Sequence, residues 1–375
     1  KNTAASNTAV GNAALPDNTS GGANTSMGNQ SLWQNTTGTN NVAFGHTALL
    51  YNTTGGNNTA LGTSALNSNT TGANNTAVGR NALGGNTTGV DNVAIGVNVM
   101  LSNTTGVKNV AIGSDSLRCN VEGISNTAVG YHALRYNLAN SNTALGTCAL
   151  RNNTTGIWNV SVGLRANRLN TTGNFNTAIG TLAMDSNVTG INNVAVGALA
   201  LEENLASDNT AVGACALRCN TTGTLNVAVG KSTLSSNTTG IRNTAVGFGA
   251  MLCNTGGSRS TSMGYFALCA NTTGNNNSAF GNNALRSNTT GGSNVAMGYN
   301  ALLNNSTGNH NTGLGFKALY SNTTGAANTA IGRYSLCTNT TGASNVAMGM
   351  YALRNSGTNS NLVAIGVNAL SQAAV

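Results

Sequence analysis

The sequence repeats itself every 17 residues, and this period constrains the fold more than any other feature. In the unit that begins at Asn75, a glycine stands at the fifth position, and the same glycine recurs in 22 successive turns from Gly11 to Gly366. Regular repetition of this kind is typical of solenoids, in which each repeat packs against its neighbours. The sequence therefore predicts one repetitive domain over residues 1–375. We number positions 1 to 17 from the first asparagine of each unit, so Asn75 is position 1 and Gly79 is position 5.

The residues around the position-5 glycine alternate as a β-strand does. Position 2 is threonine or valine almost throughout, position 3 is always small, and position 4 is apolar in every turn, as in Thr76-Ala77-Val78. Successive side chains of a strand point to opposite faces, so positions 2 and 4 share one face. Position 8 is small and position 9 is leucine in most turns. We predict a second short strand around Ala82-Leu83, with Val78 and Leu83 filling the core.

Two glycine-bearing corners connect the predicted strands. The invariant Gly79 position indicates a positive φ or a close approach of another backbone. The second corner is Asn-Thr-Thr-Gly, as in residues 86–89, and asparagine there suits a turn because it tolerates left-handed geometry. Only one proline, Pro16, is present, which fits a chain whose N–H groups are used in ladders between turns. We predict an all-β fold, a parallel β-solenoid of about 22 turns.

Stacked turns place equal positions above one another. Asparagine at positions 1 and 12 and threonine at positions 13 and 14 then form ladders along the stack. With a rise of roughly 4.8 Å per turn, the whole chain would make a rod of about 105 Å. Each turn offers only two large apolar side chains to bury. Ordering each residue costs roughly 1–2 kcal/mol of conformational entropy, which so little burial in a single chain would not offset. We therefore expect several chains, most simply three, to share one core.

The composition excludes several classes of protein. Only 6% of the residues are charged and 4% are aromatic, and no run of 18 apolar residues occurs, so we do not expect this segment to be embedded in a membrane. The chain starts inside a repeat at Lys1 and stops soon after Leu370, part way through another. We expect it to be a fragment of a longer fibre.

The repeats resemble two groups of known proteins. Segments such as residues 92–96 and 193–197, each followed by a small and an apolar residue, look like the head repeats of trimeric autotransporter adhesins. The longer unit with Asn-Thr-Thr-Gly is closer to repeats of tail fibre proteins from phages, giant viruses and some bacteria. The resemblance implies a left-handed, homotrimeric β-roll that attaches to host matrix or other cells. The 17-residue period departs from the shorter adhesin repeat.

The cysteines do not suggest a framework of disulfides or a zinc site. Their number is odd, no Cys-X-X-Cys motif occurs, and no two in adjacent turns share a position. The seven residues are Cys119, Cys148, Cys215, Cys219, Cys253, Cys269 and Cys337. Free cysteines favour assembly in a reducing cytoplasm, as expected for a phage or virus fibre.

Position 10 carries arginine in four consecutive turns. These residues are Arg118, Arg135, Arg151 and Arg168. Like charges stacked roughly 4.8 Å apart repel each other, so this arginine column either lies in solvent or contacts a polyanion such as an acidic glycan. Asp185, Glu202 and Arg218 continue position 10, so the column is expected to end in compensating ion pairs.

The Asn-Thr-Thr sequence is also an N-glycosylation acceptor pattern, with ordinary turn chemistry as the alternative interpretation. The thirteen acceptor positions are Asn35, Asn52, Asn69, Asn86, Asn103, Asn153, Asn170, Asn220, Asn237, Asn271, Asn288, Asn322 and Asn339. Two turns, at residues 137–140 and 204–207, are one residue short and lose this corner. These are either notches for a ligand or deletions that a loop tolerates.

No residue pattern indicates an enzyme, a cofactor or a metal site. His46, His132 and His310 are isolated in the sequence, and glycine-rich stretches are corners of the repeat. Nucleic acid is not an expected partner, because no basic stripe interleaved with aromatic residues is evident. We expect a structural and adhesive segment of a fibre outside a cell or on a virion, binding a surface glycan or a receptor. The alternatives are a passive shaft that presents a tip domain and, as a minor one, an ice-binding or glycan-coated filament.

Overall fold

The computed structural model describes residues 4–372, and within that range the chain consists of short strands and turns with no helix. No membrane-spanning helix is therefore found in those residues. The chain divides into two compact units, Lys1–Ile191 and Asn192–Val375. Each unit is a parallel β-solenoid with one strand per repeat, which confirms the predicted all-β class and period.

Each strand has three residues and occupies positions 2 to 4 of its repeat. Unit 1 contains β1 (Thr8–Val10), β2 (Thr25–Met27), β3 (Val42–Phe44), β4 (Thr59–Leu61), β5 (Thr76–Val78), β6 (Val93–Ile95), β7 (Val110–Ile112), β8 (Thr127–Val129), β9 (Thr143–Leu145), β10 (Val160–Val162) and β11 (Thr177–Ile179). Unit 2 contains β12 (Val194–Val196), β13 (Thr210–Val212), β14 (Val227–Val229), β15 (Thr244–Val246), β16 (Thr261–Met263), β17 (Ser278–Phe280), β18 (Val295–Met297), β19 (Thr312–Leu314), β20 (Thr329–Ile331), β21 (Val346–Met348) and β22 (Val363–Ile365).

Within each unit, consecutive strands pair in parallel and in register, so that equal positions face each other. Ala77 of β5 pairs with Ala94 of β6, one full repeat later. The register also holds where a turn is one residue short, since Thr127 of β8 pairs with Thr143 of β9. The repeat period therefore dictates the stacking.

The interior is formed by positions 1, 3, 8, 9 and 12 of a single chain. In the fifth turn these are Asn75, Ala77, Ala82, Leu83 and Asn86, and all five are fully buried. The core is thus narrow and contains two asparagine side chains per turn beside one leucine. A coil that closes its own interior in this way does not need the core shared between chains that the sequence predicted.

The prediction that position 4 fills the core is wrong. Position 3 faces inward, and position 4 faces outward in every described turn, where Phe44 is 53% exposed and Ile95 is 38% exposed. The two-residue period shows that positions 2 and 4 share a face, but it does not show which face is inside. Only a small residue fits inside at position 3, because the leucine and the two asparagines of each turn already fill the width of the interior.

The predicted second strand around Ala82-Leu83 is absent. Positions 6 to 9 form a turn in which Asn81 and Leu83 have left-handed φ angles of 59° and 50°. The backbone still bonds to neighbouring turns, because Asn81 N–H donates to the Thr63 carbonyl of the preceding turn at 3.0 Å. Leu83 N–H donates to the Val99 carbonyl of the following turn, also at 3.0 Å. These bonds and the burial of leucine offset the roughly 1–2 kcal/mol cost of left-handed geometry.

The two corner glycines are required for different reasons. Gly79 has a φ of 128°, and a Cβ there would collide with the carbonyl of Gly96 in the next turn. Both predicted reasons for this glycine are therefore confirmed. Gly89 lacks a positive φ, but a Cβ there would meet the Asn86 amide oxygen and the Gly106 carbonyl.

The threonine ladder at position 13 runs from hydroxyl to carbonyl. Thr87 Oγ1 donates to the carbonyl of Thr104 in the next turn at 3.1 Å. The same carbonyl accepts the backbone N–H groups of Thr87, Thr88 and Gly89 at 3.0 to 3.2 Å. Thr88 itself is exposed, whereas Thr87 is half-buried.

We predict that Gly247→Ala strongly destabilises the chain and that Gly256→Ala in the same turn does not. Gly247 has a φ of 124°, and a Cβ there would lie 2.6 Å from the Gly264 carbonyl oxygen. A strained backbone alone costs roughly 1–3 kcal/mol. Gly256 has no positive φ, and the nearest atom to its Cβ would be 3.4 Å away, so alanine should change the free energy of unfolding by less than about 1 kcal/mol. Urea unfolding of both variants tests this, and equal losses of stability would contradict it.

Candidate functional site

The thirteen predicted glycosylation acceptors occupy position 12, and every one of them is fully buried. This set is Asn35, Asn52, Asn69, Asn86, Asn103, Asn153, Asn170, Asn220, Asn237, Asn271, Asn288, Asn322 and Asn339. A glycan requires a free amide nitrogen and open space outside it. The position of these side chains favours the turn interpretation over the acceptor interpretation.

The hydrogen bonds of Asn86 show what this column does. Its Nδ2 donates to Asn69 Oδ1 of the preceding turn at 2.8 Å and to the Gly89 carbonyl of its own corner at 3.0 Å. Its Oδ1 accepts from Asn103 Nδ2 of the next turn at 2.8 Å. Both amide hydrogens are used, so a sugar on Nδ2 would remove a donor from a closed network.

A second amide column at position 1 joins the strand to the same corner. Asn75 Nδ2 donates to the Gly89 carbonyl at 2.8 Å, and Asn75 Oδ1 accepts the backbone N–H of Asn92 at 3.1 Å. The Gly89 carbonyl therefore accepts from Asn75 and Asn86 together. The predicted asparagine ladders are confirmed, and they hold the corner against the start of the strand.

The two short turns are absorbed into the solenoid. At residues 137–140, Asn137 Nδ2 donates to the Ala139 carbonyl at 2.7 Å, and Asn153 Nδ2 donates to Asn137 Oδ1 at 2.7 Å. Asn120 Oδ1, in the turn before, is buried with no hydrogen-bond partner. In the turn at 204–207, Asn204 likewise donates to the Ala206 carbonyl at 2.7 Å. Asn187 Oδ1, in the turn before this one, is also buried with no hydrogen-bond partner. Each short turn thus keeps the corner and interrupts a single step of the ladder.

The arginine column is partly neutralised at both ends. Arg168 donates to Asp185 from Nε and Nη2, at 2.9 and 3.1 Å, and this bond raises the pKa of the guanidinium. At the other end, Arg118 Nη1 lies 3.3 Å from Asp115 Oδ1. The expected compensating pairs are confirmed, and a further one joins Arg218 Nε to Glu202 Oε2 at 2.7 Å.

The two middle arginines of the column lie over one tyrosine. The guanidinium carbons of Arg135 and Arg151 are 5.2 and 5.8 Å from the centre of the Tyr136 ring. Contact of this kind with an aromatic face stabilises a cation by about 0.5–1 kcal/mol at an exposed site. Only these two members of the column have no carboxylate partner, which halves the charge that a polyanion would meet there.

His132 is not isolated once the turns are stacked. It shares position 7 with Asp115 in the turn before and Cys148 in the turn after, and its Nε2 lies 3.6 Å from Asp115 Oδ2. Burial, with Arg135 and then Arg151, lowers the pKa of His132. The distance to Asp115 exceeds that of a hydrogen bond, and the lowered pKa keeps the ring neutral at pH 7. We interpret the pair as a polar contact of the wall.

All seven cysteines are free in the structure. Cys253 and Cys269 come into contact because position 11 of one turn lies beside position 10 of the next, a neighbour relation that comparison of equal positions misses. Burial and then the neighbouring Cys253 raise the pKa of the Cys269 thiol, which keeps it protonated. Within residues 4–372, no cluster of three metal-ligating side chains is present.

The outward faces of the strands form an uncharged surface in each unit. We call this surface, made of positions 2 and 4, the strand face. It carries threonine, valine or serine at position 2 and a larger apolar residue at position 4, and no charge occurs in any turn. Its exposed members include Phe44 at 53%, Leu145 at 47%, Met263 at 42% and Met297 at 47%.

Unit 2 also contains a ladder of aromatic rings that sequence reasoning missed. Tyr299 and Phe316 stack with centroids 5.5 Å apart and planes at 12°, and Tyr334 and Tyr351 stack at 5.5 Å and 11°. Phe316 and Tyr334 join the two pairs edge to face at 5.3 Å. The ladder therefore crosses four successive turns.

Three cations lie between these rings. Lys317 Nζ is 5.5 Å from the centre of Phe316, Arg333 Cζ is 5.2 Å from Tyr334, and Arg354 Cζ is 5.0 Å from Tyr351. We call the four rings and three cations the aromatic–cation patch. The sequence-based statement that aromatic and basic residues do not interleave is wrong for this part of the chain. The signal was present at positions 6, 7 and 10, but it becomes visible only when neighbouring turns are read together.

No protein-family model matches the chain, and no curated protein matches it. The resemblance to adhesin heads and tail fibres therefore rests on the repeat itself.

We predict that Asn86→Asp destabilises the solenoid in a pH-dependent way. Ionised aspartate would place a carboxylate oxygen against the Asn69 amide oxygen and the Gly89 carbonyl, and an unpaired buried charge costs about 3–5 kcal/mol. The folded-state pKa of this carboxyl must rise above its unfolded value of roughly 3.9. The protonated form therefore supports folding below about pH 4, and stability is lost as the pH rises through the folded-state pKa.

Asn57→Asp is the matched control, because Asn57 is exposed and donates to Asn74 Oδ1 at 3.2 Å. Urea unfolding at several pH values should show little pH-dependent loss for this variant. A flat pH profile for Asn86→Asp would contradict the buried network.

Proposed function

We propose that this chain is a structural and adhesive segment of a homo-oligomeric fibre, displayed outside a cell or on a virion. The observation that carries the proposal is the uncharged strand face. It supports lateral association of copies of the same chain, and the repeat resemblance suggests three copies with a left-handed coil.

The strand face argues for self-association because the coil does not need its apolar residues for its own interior. Positions 1, 3, 8, 9 and 12 already close the core, yet position 4 carries a large apolar side chain in all 22 turns. Long exposed apolar surfaces on soluble proteins mark interaction sites. A second copy is the occupant that fits, since an identical column presents the same uncharged residues at the same spacing along the stack.

Adhesion is favoured over a passive shaft by the aromatic residues at variable outward positions. In unit 1, Trp158 and Phe175 are 53% and 50% exposed and contact each other at 4.9 Å between ring centroids. In unit 2, Tyr265 and Tyr299 are 50% and 47% exposed. Exposed aromatic residues are enriched in recognition surfaces, and a shaft that only separates two domains has no use for them. The partner we propose is a surface glycan or a receptor on another cell.

We predict that the chain sediments as an oligomer, with a trimer as the expected species. Replacing two neighbouring position-4 residues by lysine, Ile95→Lys with Ile112→Lys, should shift the distribution towards monomer, because it places like charges on the strand face of every copy. The matched control is Thr88→Lys with Thr105→Lys on the exposed position-14 column, which should leave the oligomer unchanged. Sedimentation velocity gives the answer directly. A stable monomer of the unmodified chain would contradict the proposed self-association.

We also predict that the immobilised chain retains cells or binds members of a glycan array. Binding to none of the surfaces tested, by a chain that is folded and oligomeric, would leave the passive shaft as the function.

A further inference from the structure

The net charge of the protein resides entirely in its C-terminal part. Residues 1–208 contain eight basic and eight acidic side chains, whereas residues 209–375 contain eight basic and no acidic ones, so the formal charge of +8 comes from the second segment alone. The eight are Arg218, Lys231, Arg242, Arg259, Arg286, Lys317, Arg333 and Arg354. None of the eight can pair with an acidic side chain of its own segment, and Arg218 pairs with Glu202 from just outside it.

The cations of the aromatic–cation patch contact ring faces instead of carboxylates. Lys317 Nζ lies 5.2 Å from the centre of Tyr320 as well as 5.5 Å from Phe316. Arg354 Cζ lies 5.6 Å from Tyr334 as well as 5.0 Å from Tyr351. An aromatic face orients a cation without neutralising its charge. Three successive turns therefore each present one oriented positive charge with no competing anion.

This arrangement suits a linear polyanion. Turns rise by roughly 4.8 Å, and the patch presents one cation in each of three successive turns, at positions 7, 6 and 10. Tyr299 stacks on Phe316 and Tyr334 stacks on Tyr351, both at 5.5 Å, while Phe316 meets Tyr334 edge to face at 5.3 Å. These contacts leave no gap between neighbouring rings of the ladder in which a nucleic-acid base could stack. Non-specific binding of single strands relies on such stacking. The groups left for a ligand are the cations, the ring edges and the tyrosine hydroxyls.

Amide and hydroxyl groups surround one end of the patch. Tyr351 and Arg354 line a cavity of about 300 Å³ together with Asn355, Asn368, Ser371 and Gln372. Such neutral groups pair with the hydroxyls of a sugar, and the guanidinium pairs with a carboxylate or a sulfate. The combination of a cation, a ring and several amides in one concave site favours an acidic sugar over a simple anion.

We infer that the aromatic–cation patch of unit 2 binds an acidic polysaccharide. The inference rests on the proposed adhesive function and names its ligand class and its site. The sequence suggested a polyanion site on the arginine column of unit 1. The inference places that site in unit 2 instead, where the cations of the patch lack carboxylate partners.

The test is calorimetric titration of the full chain with heparin fragments and with polygalacturonate fragments, which separate sulfate from carboxylate recognition. Neutral dextran and a thymidine oligonucleotide of similar length serve as further probes. We expect binding to at least one acidic polysaccharide that weakens as salt rises, because ionic contacts are screened. Dextran should not bind, and the oligonucleotide should bind more weakly.

Two variants with the same change in charge locate the site. Lys317→Gln, Arg333→Gln and Arg354→Gln together should reduce the affinity at least about tenfold. Arg118→Gln, Arg135→Gln and Arg151→Gln together remove the same charge from unit 1 and should reduce it less than about threefold. Arg333→Lys with Arg354→Lys keeps the charge and should retain binding, which separates a lost site from a lost fold.

Equal losses of affinity in the two triple variants would overturn the inference, because they would show that binding depends on the net charge of the chain and not on the patch. A tighter oligonucleotide complex, or no binding to either polysaccharide, would overturn it as well. Adhesion to cells that is changed neither by removal of their acidic polysaccharide nor by the unit 2 triple variant would overturn the inference while the adhesive function stands. Specific binding of soluble polysaccharide by a chain that adheres to no surface would support the inference and refute the adhesive function.

Discussion

The structure depends on buried amide groups that bond in two directions at once. In each regular turn, one corner carbonyl accepts from the position-1 and position-12 asparagines, as Gly89 does from Asn75 and Asn86. The same side chains continue to the neighbouring turns through their oxygens and nitrogens. Leaving such a group unpaired in a buried site costs roughly 1–3 kcal/mol, so a regular turn supplies both partners, and exceptions such as Asn120 Oδ1 occur where the next turn is short.

The same requirement explains one of the two exceptions at position 1, which are Ser260 and, in the last turn, Leu362. Ser260 replaces asparagine there, and its hydroxyl accepts the backbone N–H of Asn277 at 3.1 Å, as an asparagine oxygen would. Its own N–H donates to Asn243 Oδ1 at 3.0 Å. A residue can therefore change where it preserves the acceptor that the next turn needs. Because the interior is closed in this way, the outward positions can vary without disturbing the core.

The sequence predicts those features that depend on equal positions of successive turns. The period implies the register of Ala77 on Ala94, the asparagine ladders and the need for glycine at Gly79, and the structure confirms all three. The sequence does not predict which face of the strand Thr76–Val78 is inside, because side chains that alternate along a strand are compatible with either face being buried. The left-handed geometry of Leu83 is also missed, since leucine rarely adopts it without the support of neighbouring turns.

The candidate site was hidden for a related reason. Phe316 meets Tyr334, and Lys317 meets Tyr320, across positions that differ in number, so a comparison of equal positions does not place them together. A solenoid brings such residues close at each turn and repeats the contact along its length. One cation per turn binds an anion weakly in water, but linked contacts act at a high effective concentration once the first has formed. A homo-oligomer would multiply the patches again, so the proposed fibre would gain strength of attachment from repetition, without a deep pocket.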